Sequence, residues 1–361
     1  VGSEMCIRDS FGTAPFIVDA IRKRCECEVL GYTGKPDSYY RAIINWVKQR
    51  YDLDVTKEMI NFVPGIVPGI GMAMNSFTRP GDKVMIQPPV YHPFAWVTTR
   101  NERTLVTNPL KWENGMYRMD LDAFREQVKG CKLFILCNPH NPGGVVWTED
   151  ELRTVAEICY EEKVLVFSDE IHADLTLPPY KHRPFATISE KAKMNSVTFM
   201  SPSKAFNMPG LAASHAIIFN EDLRARFRKF MDAGELDMGH VFAFLSVEAA
   251  YTHGTEWLDQ CLAYIQGNID YVDNFLKTHA LRIKAIRPQA SYLVWLDCRE
   301  LGLNQEALND FFADKAHLAL NDGAMFGKEG TGYMRLNVAS PRSVIEQAMK
   351  QLAEAYQAMS F

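Results

Sequence analysis

No apolar run in this 361-residue chain approaches the roughly 20 residues of a bilayer-spanning helix. The chain opens with no charged-then-apolar leader and small-residue cleavage site, so a secreted protein is not expected. A basic surplus is absent too. Lys and Arg number 39 against 44 Asp and Glu, a net charge of −5. Non-specific nucleic-acid binding needs basic surface, so neither nucleic acid nor a membrane is an expected partner. Metal-ligand spacing is missing as well. Of the eight cysteines, Cys131, Cys137, Cys159, Cys261 and Cys298 sit inside apolar segments at scattered spacings. Cys25 and Cys27 form the one close pair, at a spacing wrong for the usual zinc or redox motifs. This usage fits reduced thiols in a cytoplasmic protein, and no metal is expected. Internal repeats, low-complexity linkers and charge blocks are also lacking.

What is there has the composition of a globular protein, 47% hydrophobic and 23% charged. Its length suffices for a large core and two lobes. Residues 15–28 read as a helix with Pro15 near its start, and 36–51 as a second with Ile43, Ile44, Trp46 and Val47 as its buried stripe. Short apolar runs at 83–87, 133–137, 164–167, 197–200 and 216–219 read as strands. Helices separate most of them, and one carries a Thr148/Glu151 capping box. Runs of this kind indicate parallel strands covered on both faces. Beyond residue 265 the texture changes to a smaller α+β lobe. It has a helix near 264–277, strands at 291–297 and 334–338, a helix at 305–315, and a last helix capped by Ser340. The expected division is a large part, 33–265, and a smaller part made of 1–32 and 266–361.

Three motifs fall at strand ends, where ligands bind in open α/β sheets. They are Asn138-Pro139-His140-Asn141-Pro142-Gly143-Gly144, Ser168-Asp169-Glu170-Ile171-His172, and Ser201-Pro202-Ser203-Lys204. A lysine directly after a buried strand is a poor packing choice, because its ammonium must be solvated or paired. In a partly dry site it can lose its proton and bond a carbonyl. Upstream, Pro64-Gly65-Ile66-Val67 is a glycine turn entering a helix, which suits a phosphate or simply tight packing. It is neither a nucleotide P-loop nor a dinucleotide fingerprint. An amide, a carboxylate, a lysine and a glycine turn together suit pyridoxal 5′-phosphate.

These blocks resemble fold-type I pyridoxal-phosphate enzymes of the aminotransferase class I/II superfamily, and more narrowly the MalY/PatB-type cystathionine β-lyases. Gly31-Tyr32-Thr33, Gln87-Pro88-Pro89-Val90-Tyr91, Tyr292-Leu293-Val294-Trp295-Leu296-Asp297 and Arg335-Leu336-Asn337 extend the likeness from about Phe11 to near the C-terminus. The resemblance implies an α/β fold with a mostly parallel central sheet flanked by helices, plus a smaller α+β part. It implies that Lys204 bonds the cofactor aldehyde and then takes the substrate α-proton. Asp169 would pair with the pyridine nitrogen, Asn141 and His172 would donate to the ring oxygen, and Tyr91 would stack on the ring. Gly65, Ile66, Val67 and Ser201 would hold the phosphate, and Arg335 the substrate carboxylate. Tyr32 would reach the phosphate of a neighbouring subunit, which makes a homodimer with shared sites the expected assembly.

Two departures from the wider superfamily bear on the reaction. His172 stands where many aminotransferases have tyrosine, and Ala212 where they have a phosphate-binding arginine. Both favour a C–S lyase acting on a sulfur amino acid such as L-cystathionine. An aminotransferase with the same residues stays open as the alternative. Ser201-x-x-Lys204 also matches an acyl-transferase motif, but its Ser-Asp-Asn and Lys-Thr-Gly companions are absent. A cofactor-binding regulator would need a basic DNA-binding extension that the sequence lacks. Residues 1–10 match nothing in the family pattern. They are expected to be foreign or mis-joined sequence that packs poorly and leaves one side of the substrate site open.

Overall fold

The structure is a computed structural model that describes residues 11–279 and 281–359. The expectation for residues 1–10 lies outside the described residues. Among the described residues thirteen strands occur in chain order: β1 (Ile60–Val63), β2 (Lys83–Ile86), β3 (Thr104–Thr107), β4 (Lys111–Glu113), β5 (Met116–Arg118), β6 (Cys131–Cys137), β7 (Leu165–Asp169), β8 (Ser196–Met200), β9 (Ser214–Ile217), β10 (Lys284–Ile286), β11 (Leu293–Asp297), β12 (Asn321–Asp322) and β13 (Tyr333–Asn337).

Seven of them form the central sheet, in the order β1-β9-β8-β7-β6-β2-β3. From β8 to β3 every neighbouring pair is parallel. The strand expected at 216–219 begins at Ser214 and runs antiparallel to both β8 and β1. A parallel neighbour needs a crossover, usually a helix. The 201–213 connection holds only turns and a three-residue 3₁₀ segment, Pro209–Leu211, so the chain folds straight back. Every residue of β1, β7, β8 and β9 is buried, as continuous apolar strands under helices should be.

Helix Glu149–Glu161 starts on the expected capping box. Thr148 Oγ1 accepts the Glu151 N–H at 3.2 Å, and the Glu151 carboxylate accepts the Thr148 N–H at 2.9 Å. Helix Asp37–Tyr51 buries Tyr39, Ala42, Ile43, Trp46 and Val47, while Ile44 is only half-buried. The first helix stops at Cys25, and the segment expected at 305–315 splits into helix Gln305–Asp310 and a π turn, Phe311–Lys315. Ser340 does not cap the last helix. Helix Arg342–Gln357 follows Pro341, and the Arg342 N–H donates to Tyr264 Oη at 2.7 Å. A tertiary partner replaces the local cap.

The second sheet, β10-β11-β13-β12, is antiparallel throughout. Residue 265 lies inside one continuous helix, Thr255–Thr278, so the two parts share that element. One core cluster draws on Ile17, Trp46, Phe206, Leu258, Val294 and Leu352, and so runs through both.

Candidate active site

The C-terminal ends of β6, β7 and β8 open onto one cleft of about 230 Å³. Nine of the residues singled out from the sequence line it: Gly65, Ile66, Val67, Tyr91, Asn141, Asp169, His172, Lys204 and Arg335. Each arrives for a local reason. Asp169 ends β7 and accepts the Ile171 N–H at 3.1 Å. Its carboxyl is pushed up to about 7, chiefly by burial, with the Ile171 N–H working against the shift. A buried acid of this kind calls for a cationic partner.

Lys204 lies in the turn after β8. That turn is closed by Phe206 N–H to Pro202 O (3.0 Å) and Met208 N–H to Ser203 O (3.0 Å). The N-terminal segment pins it from outside, because Thr13 Oγ1 donates to Asn207 O at 2.6 Å. His172 is a buried residue of the cleft lining, and its Nδ1 has no hydrogen-bond partner among the described residues. Burial pushes its pKa down to about 3, and the charges of Lys204 and Arg335 push the same way. It is therefore a neutral imidazole.

At the other end, helix Ile66–Phe77 points its N-terminus into the cleft. Gly65 precedes it at φ 134°, a conformation suited to glycine, and no side chain caps the first turn. Its backbone N–H groups are an anion cradle. Tyr91 is held by Val90 N–H to Phe326 O (2.8 Å). His140 Nε2 lies 2.9 Å from Pro89 O, which joins the β6 tip to the Tyr91 loop.

Arg335, on β13, crosses from the second sheet. Its Nη1 donates to Asn141 Oδ1 (3.0 Å) and its Nη2 to Asn321 Oδ1 (2.6 Å). The guanidinium carbon sits 4.7 Å from the centre of the Phe326 ring. Nothing at Asn321 or Phe326 drew attention in the sequence, since neither belongs to a strand-end motif.

Two expected residues do not line this cleft. Ser201 is buried behind it, its Oγ 2.8 Å from both Ser203 Oγ and Ala213 O. Ser203 lines the cleft instead, as does Ala212 at the position that lacks an arginine. Tyr32 is 97% exposed, on a surface with Leu30, Met238 and Phe242. Ser203 could have been found, because it adjoins Lys204 in the same hydroxyl-rich stretch.

A lysine facing a buried acid, with an uncapped helix end opposite, fits pyridoxal 5′-phosphate at three separate points. Fold and cleft together define a fold-type I pyridoxal-phosphate enzyme. The chain belongs to the aminotransferase class I and II family, which it matches over residues 9–352. It is 38% identical to the cystathionine beta-lyase PatB of Bacillus subtilis (strain 168), covering 94% of this chain and 88% of PatB. Identity with protein MalY of Escherichia coli (strain K12) is 30%, covering 97% of this chain and 90% of MalY. Among solved structures it is similar to cystalysin from Treponema denticola, which contains pyridoxal 5′-phosphate. There the TM-score is 0.95 at 34% identity, covering 98% of this chain and 91% of that one. The pyridoxal-phosphate-bound C-S lyase from Staphylococcus hominis gives a TM-score of 0.91 at 33% identity, covering 98% and 90%.

Proposed function

We propose that the protein is a carbon–sulfur lyase that splits L-cystathionine, or a related sulfur amino acid, by α,β-elimination. The products are a thiol such as homocysteine, pyruvate and ammonia, with one water consumed. The observation that carries this reading is the meeting of Lys204, Asp169 and the uncapped helix end at Ile66 in one cleft. Relatives named for C–S cleavage and the alanine at 212 support a lyase over a transaminase.

Bound in the cleft, pyridoxal 5′-phosphate supplies an electron sink for charge released at the substrate α-carbon. The chain's own groups do the rest. The Ile66 and Val67 N–H groups and the Ser203 hydroxyl hold the phosphate, with Ser201 bracing Ser203. Asp169 holds positive charge at the ring nitrogen. Asn141 and His172 donate to the ring oxygen, and Tyr91 covers a ring face. Arg335 receives the substrate carboxylate, steered by Asn141 and Asn321. Lys204 Nζ would anchor the cofactor and would serve as the base that takes the substrate α-proton. The C–S bond then breaks and the electron pair leaves with the thiolate.

Exposed Val29, Leu30 and Tyr32 fit burial against a second copy of the chain, with Tyr32 reaching that copy's phosphate site. The working unit is then a homodimer. Residues 33–265 form the larger part, and the remainder the smaller part that brings Arg335. All seven cysteines among the described residues are free thiols, which supports a cytoplasmic setting. No helix among the described residues is long and apolar enough to cross a membrane.

The test is product analysis with L-cystathionine and no added keto acid. Pyruvate should accumulate with the thiol. Turnover that requires a keto-acid acceptor overturns the lyase reading in favour of an aminotransferase.

A further inference from the structure

Behind Asp169 lies a second carboxylate with no place in the chemistry above. Glu170 is fully buried, and both its oxygens are occupied. Oε1 accepts from Ser168 Oγ (2.9 Å) and from the Phe185 N–H (2.8 Å). Oε2 lies 2.7 Å from Nε2 of His182, itself buried. Taking a carboxylate out of water costs several kcal/mol unless hydrogen bonds replace the hydration. Here three donors from two parts of the chain do so.

The consequence is positional. The segment 182–185 crosses the ends of two active-site strands and is tied to both. Glu170 holds it at β7, and Asn138 Nδ2 donates to Arg183 O at 3.1 Å at the tip of β6. The backbone of the site is tied in at the same place. Asn138 N–H donates to Asp169 O (2.9 Å), and Glu170 N–H to Phe199 O (2.9 Å) on β8. The pair therefore locks Asp169 relative to the loop that carries Asn141. It also keeps a negative charge one residue behind Asp169, which reinforces the demand for a cation in the cleft.

We infer that His182 and Glu170 are positioning residues, which fix Asp169 and hold a buried negative charge behind the cofactor's ring nitrogen. The inference rests on the proposed cofactor role of Asp169. Other ionisable groups near the pair are Asp169 at the end of the same strand, Asp174 on the 3₁₀ turn Ala173–Leu175, and Tyr51 on helix Asp37–Tyr51. The Tyr51 ring meets His182 edge-on at 5.5 Å, and its hydroxyl donates to Asp174. Arg50 acts on Asp174 and Lys204 on Asp169.

The experiment uses the holoenzyme and three variants, Glu170→Gln, His182→Ala and His182→Gln. Three quantities are read: the dissociation constant for pyridoxal 5′-phosphate, the pH midpoint of the bound cofactor's absorbance change, and the Tm. Glu170→Gln is near-isosteric and removes the charge while its amide oxygen can still accept from Ser168 Oγ and the Phe185 N–H. It should weaken cofactor binding about tenfold and lower the midpoint by about one pH unit, because a nearby anion stabilises a protonated cation. His182→Ala should move both in the same direction, and His182→Gln, which restores a donor, should recover most of each. A lower Tm with binding and midpoint unchanged in Glu170→Gln means a merely structural pair and overturns the inference. If His182→Ala does not fold, Glu170→Gln decides alone. Failure of the cofactor reading looks different, since the wild type would then not bind pyridoxal 5′-phosphate at all.

Discussion

Asn141 and Arg335 are hydrogen-bonded to each other at 3.0 Å although 194 residues separate them in the chain. Asn141 follows β6 of the central sheet, and Arg335 lies on β13 of the second. The bond joins the proposed ring-oxygen donor to the proposed carboxylate clamp. Movement of one sheet against the other would shift both groups together.

Arg335→Lys should therefore raise KM for the amino-acid substrate by roughly tenfold to a hundredfold. Lysine offers a point charge in place of a planar fork and cannot reach Asn141, Asn321 and a carboxylate together. The change in kcat should be smaller, because the carboxylate contact exists in ground and transition states alike. Steady-state kinetics would expose the error if kcat collapsed while KM stayed put.

Lys204→Ala should lose turnover by roughly a thousandfold or more, because one group serves as both anchor and base. The variant should still bind cofactor through Asp169 and the helix end at Ile66. Borohydride treatment of the wild type followed by peptide mapping should find the cofactor on Lys204. A reduced adduct at any other lysine would refute the assignment.

Asp169 carries a pH signature. Its folded pKa of about 7 lies above the ordinary 3.8, so the cofactor-free folded protein binds the extra proton between those values. Stability from this group is full below about pH 4 and lost as pH rises towards 7, by about 4 kcal/mol at most. Asp169→Asn should remove that loss. Without cofactor, its Tm advantage over wild type should grow from pH 4 to pH 7. With cofactor bound, the order should reverse, since the charged acid then has its partner. Parallel Tm curves across that range would count against the buried acid.

Buried histidines oppose this trend. Burial pushes His92 down to about 4, and His140, His172 and His215 down to about 3. Each contributes stability that is complete above pH 6.5 and lost as pH falls through the folded value. His215 on β9 is fully buried and neither ring nitrogen has a partner. His215→Leu should thus hold its Tm better than wild type between pH 6 and pH 4. A constant Tm difference across that interval would contradict the assignment.

Shared sites can be tested by mixing. Tyr32→Ala and Lys204→Ala chains, each weakly active alone, should regain about a quarter of wild-type activity when unfolded and refolded together. Half of the dimers would be hybrids, each with one intact site. No recovery, with hybrid dimers demonstrated, would mean that Tyr32 serves no neighbouring site.

Local chemistry alone was enough to read much of this molecule. The apolar runs of β6, β7 and β8 were legible because fully buried strands need continuous apolar residues. The Thr148/Glu151 cap was legible because both partners lie within one turn. Lys204, Asp169 and Asn141 were legible because each lies at or within four residues of the end of a buried strand, where a polar residue has no packing reason to be. Tertiary structure decided what depends on distant neighbours. The direction of β9 follows from pairing with β1 and β8, which its own four residues do not encode. Tyr264 rather than Ser340 meets the start of the last helix, because a phenol from another helix reaches the Arg342 N–H. Asn321 and Phe326 join the site only through β12, β13 and the turn between them. The burial of Glu170 against His182 likewise depends on a loop crossing two strand ends. In these cases the deciding atom lies outside the local segment, 12 residues away for Glu170 and His182 and 78 for Tyr264 and Arg342, and helix or strand periodicity carries no record of it.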